Sequence, residues 1–294
     1  MELRQLVTFT SVAQYGGFTV AAKHLHIAQP AVSAQIRALE RELGVRLFDR
    51  TTRRVRLSRA GEVLLTRALA ITEQVTAARA DLAELTSVVT GELRIGATQI
   101  LGPIDLPQAL AGFRDRFPAV DVAVSTGLVA DLLHRLQAGS IDAAIGPVHP
   151  DLSPVFVATH LVEEELVLIT PPGHAPKRQT TSIAAVTDRS FVCLPVGSGL
   201  RQLLVDAAAR EGVAIRIRCE APDPMSIRGL VAAGLGVALL ARSAATTPGP
   251  AIDVLTLDPP VPHPPIGLVH RRDRTLTAAD RAWAEHLAAR ASRA

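Results

Sequence analysis

The chain has 294 residues, 48% of them apolar, enough for two or three domains with cores of their own. No run of eighteen uncharged apolar residues occurs, and the start Met1-Glu2-Leu3-Arg4-Gln5 lacks a secretory layout, so no membrane span and a cytoplasmic protein are expected. The net charge of +3 is uneven: residues 1–60 hold ten Lys/Arg against four Asp/Glu, net +6, and the remainder holds 21 against 24, net −3. A basic head on a mildly acidic body suits a polyanion at one end and a different partner at the other.

The first predicted helix uses Leu3, Leu6, Val7 and Phe9. Thr19 is expected to cap a short second helix, in which Ala21 and Ala22 permit close approach and Leu25 faces inward. His26 to Gln29 make a turn. Pro30 then opens a helix to about Glu42, with Val32, Ile36, Leu39 and Leu43 on one buried face. Its other face carries Gln29, Ser33, Gln35 and Arg37, donors and acceptors suited to base edges and phosphates. A two-stranded wing follows, with Val45, Leu47, Val55 and Leu57 inward and arginines outward. Arg50, Arg53 and Arg54 are expected to hold phosphates.

From Ser58, a plausible cap, no proline occurs until Pro103 and no glycine between Gly61 and Gly91. Apolar residues recur at Leu64, Ala68, Ile71, Val75, Ala78, Leu82, Leu85 and Val89, a heptad that predicts a helix of roughly 46 Å. Packing within one chain is the bland explanation. A partner helix from a second copy is the favoured one, with Leu64, Ile71, Val75, Leu82 and Leu85 on the seam.

Beyond Gly91, short β-rich runs alternate with helical patterns, the mark of an α/β sheet. Strands are expected at Leu93–Ala97, Val120–Ser125, Ile141–Gly146, Leu166–Ile169, Phe191–Leu194, Ile215–Glu220, Val237–Leu240 and Ile266–His270. Helices are expected at 103–116, 129–138, 200–211, 225–233 and 277–291. Two extended stretches, Val155–Leu161 and Pro262–Val269, look like crossovers between two lobes. Ligands of open α/β sheets bind beyond the carboxyl ends of strands. That rule selects Thr98, Gln99 and Ile100, then Thr126, Gly127 and Leu128, and in the other lobe Ser198 and Gly199. Met225 and Ile227 are candidates for the same cleft, with apolar core the favoured role for each. These hydroxyl, amide and backbone donors suit a small anion or carboxylate.

The run Phe18–Thr19–Val20–Ala21–Ala22 through Leu25, then Gln29–Pro30–Ala31–Val32–Ser33, Ile36, Leu39–Glu40, Leu43–Gly44 and Leu47–Phe48–Asp49–Arg50, resembles the LysR-type transcriptional regulators. So does Leu57–Ser58–Arg59–Ala60–Gly61. Ala28 departs from the family, which often has a hydroxyl residue there to cap the recognition helix. The resemblance implies an α/β protein with a winged helix-turn-helix at 1–58, a linker and dimerisation helix at 59–90 and an effector domain at 91–294. That domain would resemble periplasmic solute-binding proteins, with one lobe at about 91–160 and 268–294 and the other at about 161–267. Implied partners are double-stranded promoter DNA, RNA polymerase, a small-molecule effector bound between the lobes, and further copies in a homodimer or tetramer.

Catalysis finds little support. Gly197–Ser198–Gly199 is not a nucleophile elbow, and Gly234–Leu235–Gly236 precedes a strand and lacks a third glycine. Glu163–Glu164–Glu165 reads as a solvated boundary. Cys193 and Cys219 have no ligand spacing, and Cys193 sits in an apolar run as a core residue would. No metal or cofactor is expected. The alternative to a regulator is a solute-binding protein without catalytic activity.

Overall fold

The computed structural model describes residues 1–51, 54–84, 89–175 and 179–292. The chain divides into two compact units. One is built on Met1–Thr90, with which Ala138–Ser140 and Arg274–Ala279 group. The other comprises Gly91–Gln137, Ile141–Asp273 and Asp280–Ala294. Among the described residues, no helix is long and apolar enough to cross a membrane.

The first unit runs α1 (Leu3–Tyr15), α2 (Phe18–His24), α3 (Gln29–Leu43), β1 (Phe48–Thr51), β2 (Arg54–Leu57) and α4 (Arg59–Glu84). Its core gathers Leu6, Phe9 and Val12 of α1, Ala21 and Ala22 of α2, and Val32, Ile36 and Leu39 of α3. Phe48 closes it, its ring 5.4 Å from Phe9 and 5.7 Å from Phe18. Both α1 and α3 end on a glycine in the left-handed region, Gly16 at φ 65° and Gly44 at φ 68°, where a side chain would be strained. The β1–β2 hairpin is antiparallel, with Phe48 opposite Leu57 and Thr51 opposite Arg54.

Several local expectations are corrected here. Helix α2 begins at Phe18, so its cap is Gly17 and Thr19 lies inside the helix. Leu43, the last residue of α3 before the left-handed Gly44, is 38% exposed. Val45 in the loop beyond and Val7 on the outer side of α1 are exposed as well. Ala28 is the cap residue of α3 and offers no side-chain bond.

Helix α4 starts as the sequence indicates. Ser58 Oγ accepts the Gly61 N–H at 3.1 Å and donates to the Arg46 carbonyl at 2.6 Å. Gly61 is required by packing, since a Cβ there would lie 2.1 Å from the Leu47 carbonyl oxygen. Ala68 is fully buried in the head core, and Leu64 and Leu65 pack against it. Leu64, assigned to the dimer seam, is therefore engaged within its own chain, because the first turns of α4 lie against α1. Ile71 is the first residue of the stripe left exposed, at 39%. Leu85 lies outside the described residues, as does the side chain of Leu82.

The second unit continues with β3 (Gly91–Ala97), α5 (Leu106–Arg116), β4 (Val120–Thr126), α6 (Val129–Gln137), β5 (Ala143–Pro147), β6 (Phe156–Val162) and β7 (Leu166–Thr170). Next come β8 (Thr180–Thr181), β9 (Ser190–Cys193), α7 (Gly199–Arg210), β10 (Arg216–Glu220), α8 (Pro224–Ala232) and β11 (Ala238–Ala241). The last elements are α9 (Arg242–Thr246), β12 (Asp253–Leu257), β13 (Ile266–Arg271) and α10 (Ala278–Ala291).

One sheet has the order β4-β3-β5-β13-β6, with β3 parallel to both β4 and β5. The two stretches expected to be crossovers supply β6 and β13, which pair antiparallel on the sheet's far side. The second lobe carries β10-β9 and β11-β7-β12-β8, joined by a bridge between Phe191 and Val237. Strand β7 is buried along its whole length, as its continuous Leu-Val-Leu-Ile run requires of a central strand. Strand β12, which is not among the expected strands, pairs antiparallel with β7, Leu255 opposite Leu168.

Candidate DNA-reading face and ligand cleft

Helices α2 and α3 enclose a tight turn in which His26 takes φ 53°. Pro30 sits in the first turn of α3, where a missing N–H costs nothing. Gln29, Ser33 and Arg37 follow at intervals of four and so share one face. Gln29 and Arg37 are exposed, and Gln29 Nε2 donates to Ser33 Oγ at 2.9 Å. That bond orients the amide while leaving its oxygen and second N–H free for a base edge. Gln35, grouped with them by sequence, instead accepts from buried Thr8 at 2.5 Å and ties α3 to α1. Glu40 Oε1 accepts the Leu47 N–H at 2.9 Å, fixing the wing's approach to α3. Arg53 lies outside the described residues, as do the side chains of Arg50 and Arg54.

In the second unit, loops at the strand ends enclose a cleft of about 780 Å³. Thr98, Gln99 and Ile100 enter from β3, and Thr126, Gly127 and Leu128 from β4. Ser198 and Gly199 enter from the opposite lobe, at the start of α7. The lobes come close: a Cβ on Gly199 would lie 3.8 Å from His149 Nε2, and Gln99 Nε2 reaches the Pro222 carbonyl at 3.4 Å.

The two hydroxyls differ. Thr98 Oγ1 donates to the Ile100 carbonyl at 2.8 Å, so toward the cleft it offers lone pairs. Gly146 leaves room for it, since a Cβ there would fall 2.7 Å from Thr98 Cγ2. Ser198 occupies the cap position of α7, yet its hydroxyl makes no capping bond although the residue is only 5% exposed. A buried hydroxyl that is not spent on the helix is available to a ligand.

Met225 does not line the cleft. Helix α8 starts at Pro224, which leaves Pro222 at the wall and turns the Met225 side chain toward Gly249. Ile227 is fully buried in the lobe core instead. Sequence reasoning missed His149, Asp151 and His263, which line the cleft. The strand-end rule applied to β5 would have reached His149, whereas nothing local marks His263 in its proline-rich crossover. Burial holds the His263 pKa below its ordinary value, against a raising contact with Pro264 and the attraction of Glu164, with His149 lowering it further. The titratable groups of the lining are Asp131, Asp151 and these two histidines, and no Lys or Arg is among them.

The cysteines lie on neighbouring parallel strands. Cys193 is in register with Glu220 and Cys219 with Val192, beyond a register shift that follows Ile217, so the two cysteines are not directly opposite each other. Burial pushes the Cys193 thiol up to about 11, with Arg201 opposing and Glu220 adding to the shift.

Comparison with known proteins agrees with both regions. Residues 3–62 match the bacterial regulatory helix-turn-helix protein model of the lysR family, and residues 86–292 match the LysR substrate binding domain. Over 244 residues the chain is 36% identical to a "Probable hydrogen peroxide-inducible genes activator" of Streptomyces viridosporus, covering 82% of this chain and 78% of that one. It is 32% identical to the "Transcriptional dual regulator GltC" of Bacillus subtilis (strain 168), covering 94% and 93%. Among solved structures, a full-length OxyR variant from Pseudomonas aeruginosa superposes with a TM-score of 0.77 at 25% identity, covering 98% of each chain. CbnR in complex with its target DNA has the same fold, with a TM-score of 0.63 at 24% identity, covering 99% of this chain and all of that one.

Proposed function

The chain belongs to the LysR family of transcriptional regulators, and from that premise we propose that α3 reads promoter DNA while a small effector in the interlobe cleft sets the regulatory output. The exposed face of Gln29, Ser33 and Arg37 supports the first half, in a segment of net charge +6. Arg50, Arg53 and Arg54 of the wing would hold phosphates, supplying affinity without sequence information. The effector half rests on one observation, the Ser198 side chain, which makes no capping bond at the start of α7 and lines the same cleft as Thr98.

The cleft's chemistry narrows the effector. With Asp131 and Asp151 in the wall and no Lys or Arg, it opposes a multiply charged anion. A small molecule with an apolar body and one polar or carboxylate end fits, that end resting on Ser198 and the N-terminal N–H groups of α7. Binding would draw the lobes together, and α4, paired with α4 of a second copy, would pass the change to the heads and alter DNA bend and polymerase recruitment.

The test is selection from a random duplex pool, followed by a thermal-shift screen of small metabolites on the full chain. Wild type should enrich one motif, and Gln29→Ala should lose about 1–3 kcal/mol there and relax one base position. Thr98→Ala and Ser198→Ala should bind that motif normally yet need about tenfold more of the stabilising metabolite. No motif enrichment would overturn the DNA half. Variants that respond to the metabolite at the wild-type concentration would remove the effector from this cleft.

A further inference from the structure

A second concavity, of about 560 Å³, lies where α5 packs on α10, and none of its lining residues belongs to the interlobe cleft. The two helices are locked by Trp283, which meets Phe113 edge-on at 5.2 Å. One turn along α10, His286 lies near-parallel to Trp283, and a further turn brings Arg290. Arg290 lies across α5 at Gly112, where a Cβ would fall 2.4 Å from Nη2. The guanidinium thus fills space that any side chain at 112 would take.

Among the described residues this cation meets His286 and Gln108. Nη1 donates to Gln108 Oε1 at 3.2 Å, and Nε approaches His286 Nε2 at 3.2 Å. Arg116 lines the same concavity, its Cζ 5.1 Å from the Phe117 ring centroid. Neither guanidinium is paired with a carboxylate among the described residues. The acid in the lining, Asp105, is committed to α5, whose Gln108 N–H it accepts at 2.9 Å.

His286 shows what the site lacks. Its Nε2 faces the Ala109 carbonyl at 3.0 Å and the Arg290 Nε–H at 3.2 Å. One nitrogen cannot donate to the first and accept from the second at once. If it donates to Ala109, the Arg290 Nε–H is left without His286 as its acceptor and is open to a ligand in the concavity.

We propose that this concavity is a second ligand site, distinct from the cleft, that binds a small oxyanion through Arg290 and Arg116. Phosphate and carboxylate groups share the planar or tetrahedral oxygen pairs that match a guanidinium fork. Gly112, Gln108 and His286 position Arg290 and do not themselves define the ligand.

The test is calorimetry on the full chain with inorganic phosphate and, separately, citrate, each against chloride at matched ionic strength. Binding of either is expected at one per chain, and which one binds identifies the source of the oxyanion. Arg290→Ala and Arg116→Ala should each weaken it about tenfold or more. Gly112→Ala should weaken it by displacing Arg290, and Arg116→Ala, an exposed position, guards against loss of fold. Arg37→Ala in the head and Thr98→Ala in the cleft should leave it unchanged. No heat beyond chloride for either anion would overturn the proposal, as would loss in Arg37→Ala or Thr98→Ala with retention in Arg290→Ala. DNA binding by Arg116→Ala is expected to match wild type, which keeps this outcome separate from the regulatory reading.

Discussion

Asp142 takes three hydrogen bonds from Arg94: the backbone N–H at 2.7 Å, Nη2 at 2.8 Å and Nε at 3.2 Å. In return Asp142 donates its own N–H to the Arg94 carbonyl at 2.7 Å. The pair ties β3 to the start of β5, the two strands whose far ends deliver Thr98 and Gly146 to the cleft. Asp142 is almost fully buried, and two N–H groups on one guanidinium hold its carboxylate in a fixed geometry.

Removing that carboxylate takes from Arg94 the acceptor of two side-chain N–H groups and one backbone N–H. Breaking a buried pair costs about 3–5 kcal/mol. Because the Arg94 side chain is 32% exposed, the lower end applies. Trp283, the single tryptophan, reports on this unit alone, so Asp142→Ala should lower the urea midpoint of its fluorescence. An unchanged midpoint would show that the pair contributes nothing net.

The stripe on α4 divides at about Ala68, and the two parts should respond differently to a charge. Ile71 is exposed in the single chain, so Ile71→Asp should leave the head folded but halve the particle mass seen by light scattering. An unpaired carboxylate buried against a partner helix costs several kcal/mol. Leu64→Asp should instead destabilise the head, since Leu64 packs on its core. A mass unaffected by Ile71→Asp would place the dimer contact elsewhere.

Likeness to a peroxide-inducible activator raises the question of thiol sensing. With its pKa raised to about 11, Cys193 is a protonated thiol at neutral pH and a poor nucleophile. Hydrogen peroxide should therefore leave DNA binding and metabolite response unchanged, in wild type and in a Cys193→Ser, Cys219→Ser variant alike. A peroxide-dependent mobility change that the double variant abolishes would reverse this conclusion.

The sequence by itself determined the order of the elements and the face of α3 that is left polar. Those properties are local: the spacing of Val32, Ile36 and Leu39 follows helix geometry, and Pro30, Gly44 and Ser58 act within a turn of their own positions. The strand-end rule likewise named Thr98, Thr126 and Ser198, which line one cleft: parallel β3 and β4 share a carboxyl edge, and the end of β9 meets them from the other sheet. Tertiary structure decided what depends on neighbours distant in the chain. Strand β12, not among the expected strands, pairs with β7, and Gln35 is structural because Thr8 lies opposite it. Leu64 faces its own head, Met225 turns to Gly249, and Arg290 meets Gly112 from 178 positions away along the chain. An apolar or charged side chain carries no record of its partner in its own segment, and only closure of the fold, where burial and desolvation are summed over all segments, selects one.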